Sequence, residues 1–254
     1  AGVVPVPWTV VDIMAAEGAQ VPGWYGKIPA LGDFASRRLP TFFITSWDAW
    51  LQRVLEGSRS TLGNAWLETY LHCPLWSFLL MPGVCGNKAW GGILMPSVDK
   101  VGRYFPLTIC GELQRLPAST EELGALLGWI NQLEQPALAA LETQHTVEQL
   151  EVELKPRFMD LFPEIEEKQR TTILRLARTA DSVANDIIPI TSATTTNIAN
   201  IMSFSAAQAL ADAYFGKTLW WCHIDSTTLF KRCSGLPDID EFVCMLRGTE
   251  PAVE

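Results

Sequence analysis

Apolar residues recur three and four positions apart along "TSWDAWLQRVLEGSR" (45–59), where Trp47, Trp50, Leu51, Val54 and Leu55 fall on one face. That spacing predicts an amphipathic helix with an aromatic buried side, and Thr45 or Ser46 would supply its N-cap. "NAWLETYLHCP" predicts a shorter helix stopped by Pro74. The period then changes. "LWSFLLMP" (75–82), "KAWGGILMP" (88–96) and "RYFPLTICGEL" (103–113) are short apolar runs separated by "GVCGN" and "SVDKVG". Such connectors predict antiparallel hairpins. The runs are apolar on both faces, so the sheet they form should be covered on both sides. Before them, "GWYGKIP" reads as a short strand entering a Gly/Pro turn.

Beyond residue 112 the character changes. Glu121 and Glu122 follow Ser119 and Thr120 at a helix start, where negative charge favours the dipole. Leu123, Leu126, Leu127, Ile130 and Leu133 supply the helical face, and Pro136, Pro156 and Pro163 break the segment into shorter pieces. The stretch "TSATTTNIANI" (191–201) reads either as a Thr-rich loop or as a poorly patterned strand. "SAAQALADAYFGK" (205–217) predicts a helix capped by Gly216. "TLWWCHI" and "TLFKRCSGLP" form a hairpin across "DST", and "DIDEFVCMLRG" closes the chain with a helix ended by Gly248. With no repeats and no separating linker, residues 1–254 read as a single domain. It comprises an N-terminal arm (1–22), a core (23–112), a mainly helical acidic insertion (113–204) and a C-terminal hairpin and helix (205–254).

Composition narrows the function. The net charge is −9 over 254 residues, and it is unevenly placed. Residues 1–112 balance eight acids with eight bases, whereas 113–172 hold eleven acids against five bases. A surface of this sign repels phosphate backbones, so nucleic-acid binding is not expected. No basic leader or membrane-length apolar run is visible, so no membrane insertion is expected. The six scattered cysteines fit reduced thiols in the cytoplasm.

Candidate chemistry is sparse. In "GWYGKIPALGDFASRRLP" (23–40) Lys27 follows the first glycine of the turn and Asp33 the second, which is not the order of a phosphate-binding loop. Cys85, in the glycine-flanked "GVCGN", is a candidate nucleophile for a thiol-dependent hydrolase, but a base is needed and only His72, His145 and His223 exist. A zinc site from His72, Cys73, Cys222 and His223 is disfavoured, because neighbours on a strand point to opposite faces. Asp238, Asp240 and Glu241 read as helix-capping acids. No metal, cofactor or catalytic residue is expected. One charged set remains: Lys27, Asp33, Arg37 and Arg38 in the first loop, with Asp99, Lys100 and Arg103 in "PSVDKVGRYFP". These are either loop salt bridges or a partner-binding surface on rigid sheet ends.

The same residues carry a family resemblance. "GWYGKIPALGDFASRRLP", "WDAWLQ", "AWLETYLHCPLWSFLLMPGVCG", "AWGGILMPSVDKVGRYFPLTI" and "GKTLWW…CSGLPDIDEF" together resemble the TagF (ImpM) family associated with type VI secretion. The match is dense over 23–112 and resumes over about 205–248; the middle matches only as a variable helical stretch. The resemblance implies a three-layer α/β/α sandwich around a mixed, largely antiparallel sheet. It also implies a cytoplasmic, non-enzymatic accessory protein of a bacterial type VI secretion system. Such proteins act as post-translational negative regulators linked to threonine phosphorylation, with the forkhead-associated scaffold protein Fha and other secretion components as partners. No catalytic residues carry over from the family, and a phosphatase of the kind fused to some relatives is expected to be a separate protein here.

Overall fold

The computed structural model describes residues 21–142, 145–157 and 195–249. Its centre is a seven-stranded sheet in the order β2-β1-β5-β4-β3-β6-β7, with every pairing antiparallel. The strands are β1 (Gly23–Gly26), β2 (Ala35–Arg37), β3 (Trp76–Leu80), β4 (Ala89–Met95), β5 (Leu107–Leu113), β6 (Lys217–Ile224) and β7 (Thr227–Ser234). The predicted strands all form. The three-residue β2 was not expected: it is too short for an alternating pattern, and it exists because Trp24, Tyr25 and Gly26 offer it a partner edge.

Alternation along the strands divides the core in two. On one face Trp76, Phe78, Leu80, Trp90, Leu94, Cys110 and Trp220 meet α1 (Thr41–Leu62), α2 (Trp66–Leu71) and α7 (Ile239–Arg247). On the other, Trp24, Ala89, Ile93, Met95, Leu107, Ile109 and Leu113 meet α3 (Thr120–Gln132), α4 (Glu134–Glu142) and α5 (Val147–Leu154). The acidic helices after residue 112 therefore cover the second face, as the two-sided apolar strands require. The result is an α/β/α sandwich.

Large rings dominate the first face. Trp47, Trp50 and Trp220 lie with centroids 4.7 to 6.1 Å apart, and their indole N–H groups reach Thr108 Oγ1, the Pro237 carbonyl and Thr218 Oγ1. Burying a tryptophan while its N–H is bonded gains apolar area without an unmet polar group. Trp90 departs from this pattern, with a buried Nε1 that no protein acceptor meets.

Several expectations need correction. Helix α1 begins at Thr41 after Pro40, not at Thr45 or Ser46. The hydroxyls of those two residues bond back to the carbonyls of Thr41 and Phe42, at 2.9 and 3.2 Å, inside the helix. Of the face expected on α3, Leu126 and Ile130 are buried, as is Leu133 just past its end, but Leu123 and Leu127 are exposed and Trp129 takes a buried place instead. Residues 195–201 are neither loop nor strand; they open α6 (Thr195–Ala213). The alanine-rich turns after them propagate a helix that the threonines alone would not start. Residues 191–194, and residues 1–20 of the arm expected at 1–22, lie outside the described residues. Helix α7 has the expected ends: Asp238 and Glu241 form a reciprocal capping box, and Gly248 closes the helix at φ 61°.

Candidate functional site

The turn after β1 and the β4–β5 connection meet at one end of the sheet. Gly26 makes this approach possible: it sits at φ 136°, and a Cβ there would lie 2.1 Å from the Pro106 carbonyl oxygen. The next residue, Lys27, turns inward, and its Nζ lies 2.9 Å from Asp99 Oδ2. Both side chains are almost wholly buried, at 5% and 0% exposure.

Asp99 is satisfied on every side. Its Oδ1 accepts from the N–H groups of Val101 and Arg103 at 3.0 and 2.9 Å, and its Oδ2 also accepts from Arg103 Nε at 2.7 Å. Burial pushes this carboxyl upward, but the N–H groups of Arg103, the ammonium of Lys27 and the N–H of Val101 outweigh it. The carboxyl is held well below the ordinary carboxylate range. Arg103 Nη2 continues to the Gly32 carbonyl, and Lys100 N–H donates to the Leu31 carbonyl at 2.9 Å, so each loop is tied to the other. Ser97 extends the brace: its hydroxyl donates to the Lys27 carbonyl at 2.7 Å, while its own N–H and carbonyl bond the Tyr70 hydroxyl.

An aromatic cap closes over the ion pair. Lys27 Nζ lies 4.7 Å from the Phe34 ring centroid, and Phe34 stacks on Tyr25 and meets Phe105 edge to face at 4.7 Å. Phe34 remains 44% exposed and Val101 68% exposed. The outer surface is thus made by Phe34, Val101, Lys100, Arg103 and Asp33, with Asp33 Oδ1 accepting from the Phe34 N–H at 2.8 Å.

The seven residues singled out from sequence separate into two groups. Lys27, Asp33, Asp99, Lys100 and Arg103 come together, but Lys27 and Asp99 are interior braces and not surface, because the aromatic cap covers them. Arg37 and Arg38 belong elsewhere. Arg38 grips Glu151 of α5 with two bonds of 2.5 and 3.0 Å and bonds the Pro22 carbonyl, with its backbone at φ 58°. Trp24 Nε1 donates to the same carboxylate at 2.7 Å. Arg37 is exposed and adds positive potential near Glu148 and Glu151. Tyr25, Phe34, Ser97, Tyr70 and Glu151 carry no motif, and sequence reasoning missed them.

Cys85 is fully buried in the 83–86 turn, and desolvation pushes its thiol up to about 12. That is the opposite of an activated nucleophile. The histidines sit elsewhere: His72 Nδ1 is 2.8 Å from the Glu68 carbonyl, His145 faces Glu153 at 3.5 Å and His223 faces Thr228 at 2.9 Å. Among the described residues no cluster of three or more ligand side chains could hold a metal, and no helix is long and apolar enough to cross a membrane.

An α/β/α sandwich with two loops braced at a sheet end by a buried ion pair now has a family. The chain belongs to the type VI secretion system-associated TagF family: residues 23–156 match the model of the TagF N-terminal domain. The crystal structure of PA0076 from Pseudomonas aeruginosa PAO1 is similar at 32% sequence identity and a TM-score of 0.64, over 92% of this chain and 97% of that one. No curated protein matches the chain.

Proposed function

We propose that this type VI secretion-associated protein is a non-enzymatic, cytoplasmic, post-translational negative regulator that binds the forkhead-associated scaffold through the braced loop pair. The observation that carries this reading is the buried Lys27–Asp99 pair. It fixes two loops rigidly while leaving Lys100, Arg103, Phe34 and Val101 outward. A cationic, partly aromatic knob on a chain of net charge −9 is a local feature of opposite sign, suited to steering and registering an acidic partner surface. A preformed loop loses little freedom on binding, so its contacts are kept as affinity. The inward, high-pKa Cys85 supports a role without chemistry.

The test is a titration of purified scaffold against the wild-type chain and a Lys100→Glu, Val101→Asp variant. Both side chains are exposed, so the melting curve should be unchanged. Affinity should fall more than about tenfold, about 1.4 kcal/mol. Equal affinity would reject this surface. The Arg37–Arg38 pair is the wrong place to test it, since Arg38 anchors α5.

A further inference from the structure

The two ends of the sheet are built differently. At one end β2 has three residues, is followed by Arg38 at φ 58° and then Pro40, and is clasped to α5. At the other end lies β7, eight residues long. Its register with β6 is unbroken from Lys217 opposite Ser234 to Ile224 opposite Thr227, so it has no bulge, and it contains neither proline nor glycine. Among the described residues no strand pairs with its outer edge. Long edges are ordinarily blunted, because their unpaired amides template pairing with another chain. Here one edge is blunted and the other is not.

The outward groups follow from the hairpin. Ile224 and Thr227 close a two-residue turn, so the amides of Thr227, Leu229, Lys231 and Cys233 face β6 and those of Thr228, Phe230, Arg232 and Ser234 face outward. Those four residues are all exposed, and Phe230, near the middle of the strand, is 66% exposed. Lys231 would discourage pairing, but it is turned to the other face and held 3.4 Å from Glu241.

We propose that a second copy of this chain covers this edge, the two β7 strands running antiparallel about a two-fold axis at Phe230. In that register each Phe230 exchanges both backbone bonds with its counterpart, and the two rings lie side by side. Thr228 faces the second copy's Arg232, and Leu229 faces its Lys231, so no like charges are directly opposed. The strand is complementary to itself. Because the β2 edge is closed, the pairing is isologous and stops at two copies instead of propagating.

Sedimentation of the full chain over a micromolar-to-millimolar series tests this. The wild type should show a reversible monomer–dimer equilibrium. Thr228→Arg places two cations opposite each other twice across the axis and should weaken the dimer about tenfold. Adding Arg232→Glu should restore it, since each introduced guanidinium then faces an introduced carboxylate. Both positions are exposed, and melting curves check that each variant folds. A wild type that stays monomeric throughout overturns the proposal. So does a dimer that Thr228→Arg leaves untouched, or one that the double variant fails to rescue.

Discussion

At the scale of single residues, Lys27 and Asp99 bear the most consequence. Two charges taken from water destabilise a fold unless each is bonded on all sides, and removing one leaves the other uncompensated. Lys27→Met keeps the carbon stem beneath Phe34 but leaves Asp99 with Arg103 as its one cation. We expect the thermal midpoint to fall by at least about 5 °C. Arg103→Met should cost less, because the Arg103 side chain is 55% exposed and water replaces part of what it gives. Calorimetry of the two variants decides; the reverse order would mean that Arg103, not Lys27, holds the loops. That these charges lie in two Gly/Pro-bounded loops was legible in the sequence. Their depth was not, because it depends on Tyr25, Phe34 and Phe105, rings from separate segments that no local pattern places together.

At the scale of elements, periodicity placed strands and helices well wherever one face is buried against a neighbour. It failed where something else decides. Pro40, not a hydroxyl, starts α1, and the short β2 is created by the strand beside it. The Arg38–Glu151 clasp joining β2's end to α5 spans 113 residues of sequence and left no trace there. Its electrostatics give a pH prediction. Burial raises the Glu151 carboxyl, but the hydrogen bonds from Arg38 and Trp24 outweigh this and lower it from its ordinary value. A carboxyl depressed in the folded state contributes stability above its unfolded value of about 4.3, and that contribution is lost as pH falls through the folded one. Glu151→Gln should therefore lower stability near neutrality and flatten the acid side of the stability–pH curve. Chemical denaturation at a series of pH values from about 7 down to about 3 measures both. A parallel downward shift with unchanged slope would show that the ionisation of Glu151 is not what the clasp uses.

At the scale of the whole molecule, the two cores are separate sets of residues resting on the same strands. Trp90 and Leu94 of β4 point into the α1–α2–α7 core, and Ala89, Ile93 and Met95 of the same strand point into the α3–α5 core. Between them, Gly92 lets β5 come so close that a Cβ would lie 2.3 Å from the Ile109 carbonyl oxygen. A cavity opened on one face therefore weakens the strand on which the other face is built, and the cores should unfold as one unit. Ile93→Ala removes fully buried carbons from the second core alone and should cost about 2–5 kcal/mol. Tryptophan fluorescence is weighted toward the first core, which holds Trp47, Trp50, Trp66, Trp76, Trp90 and Trp220 against Trp24 and Trp129 buried in the second. In urea, this fluorescence and the far-ultraviolet circular dichroism should fall together in the wild type. In Ile93→Ala both should shift to the same lower midpoint with the same slope. If the fluorescence transition stayed at its wild-type position while the dichroism moved, the two layers would be independent folding units, and the sheet would not couple them.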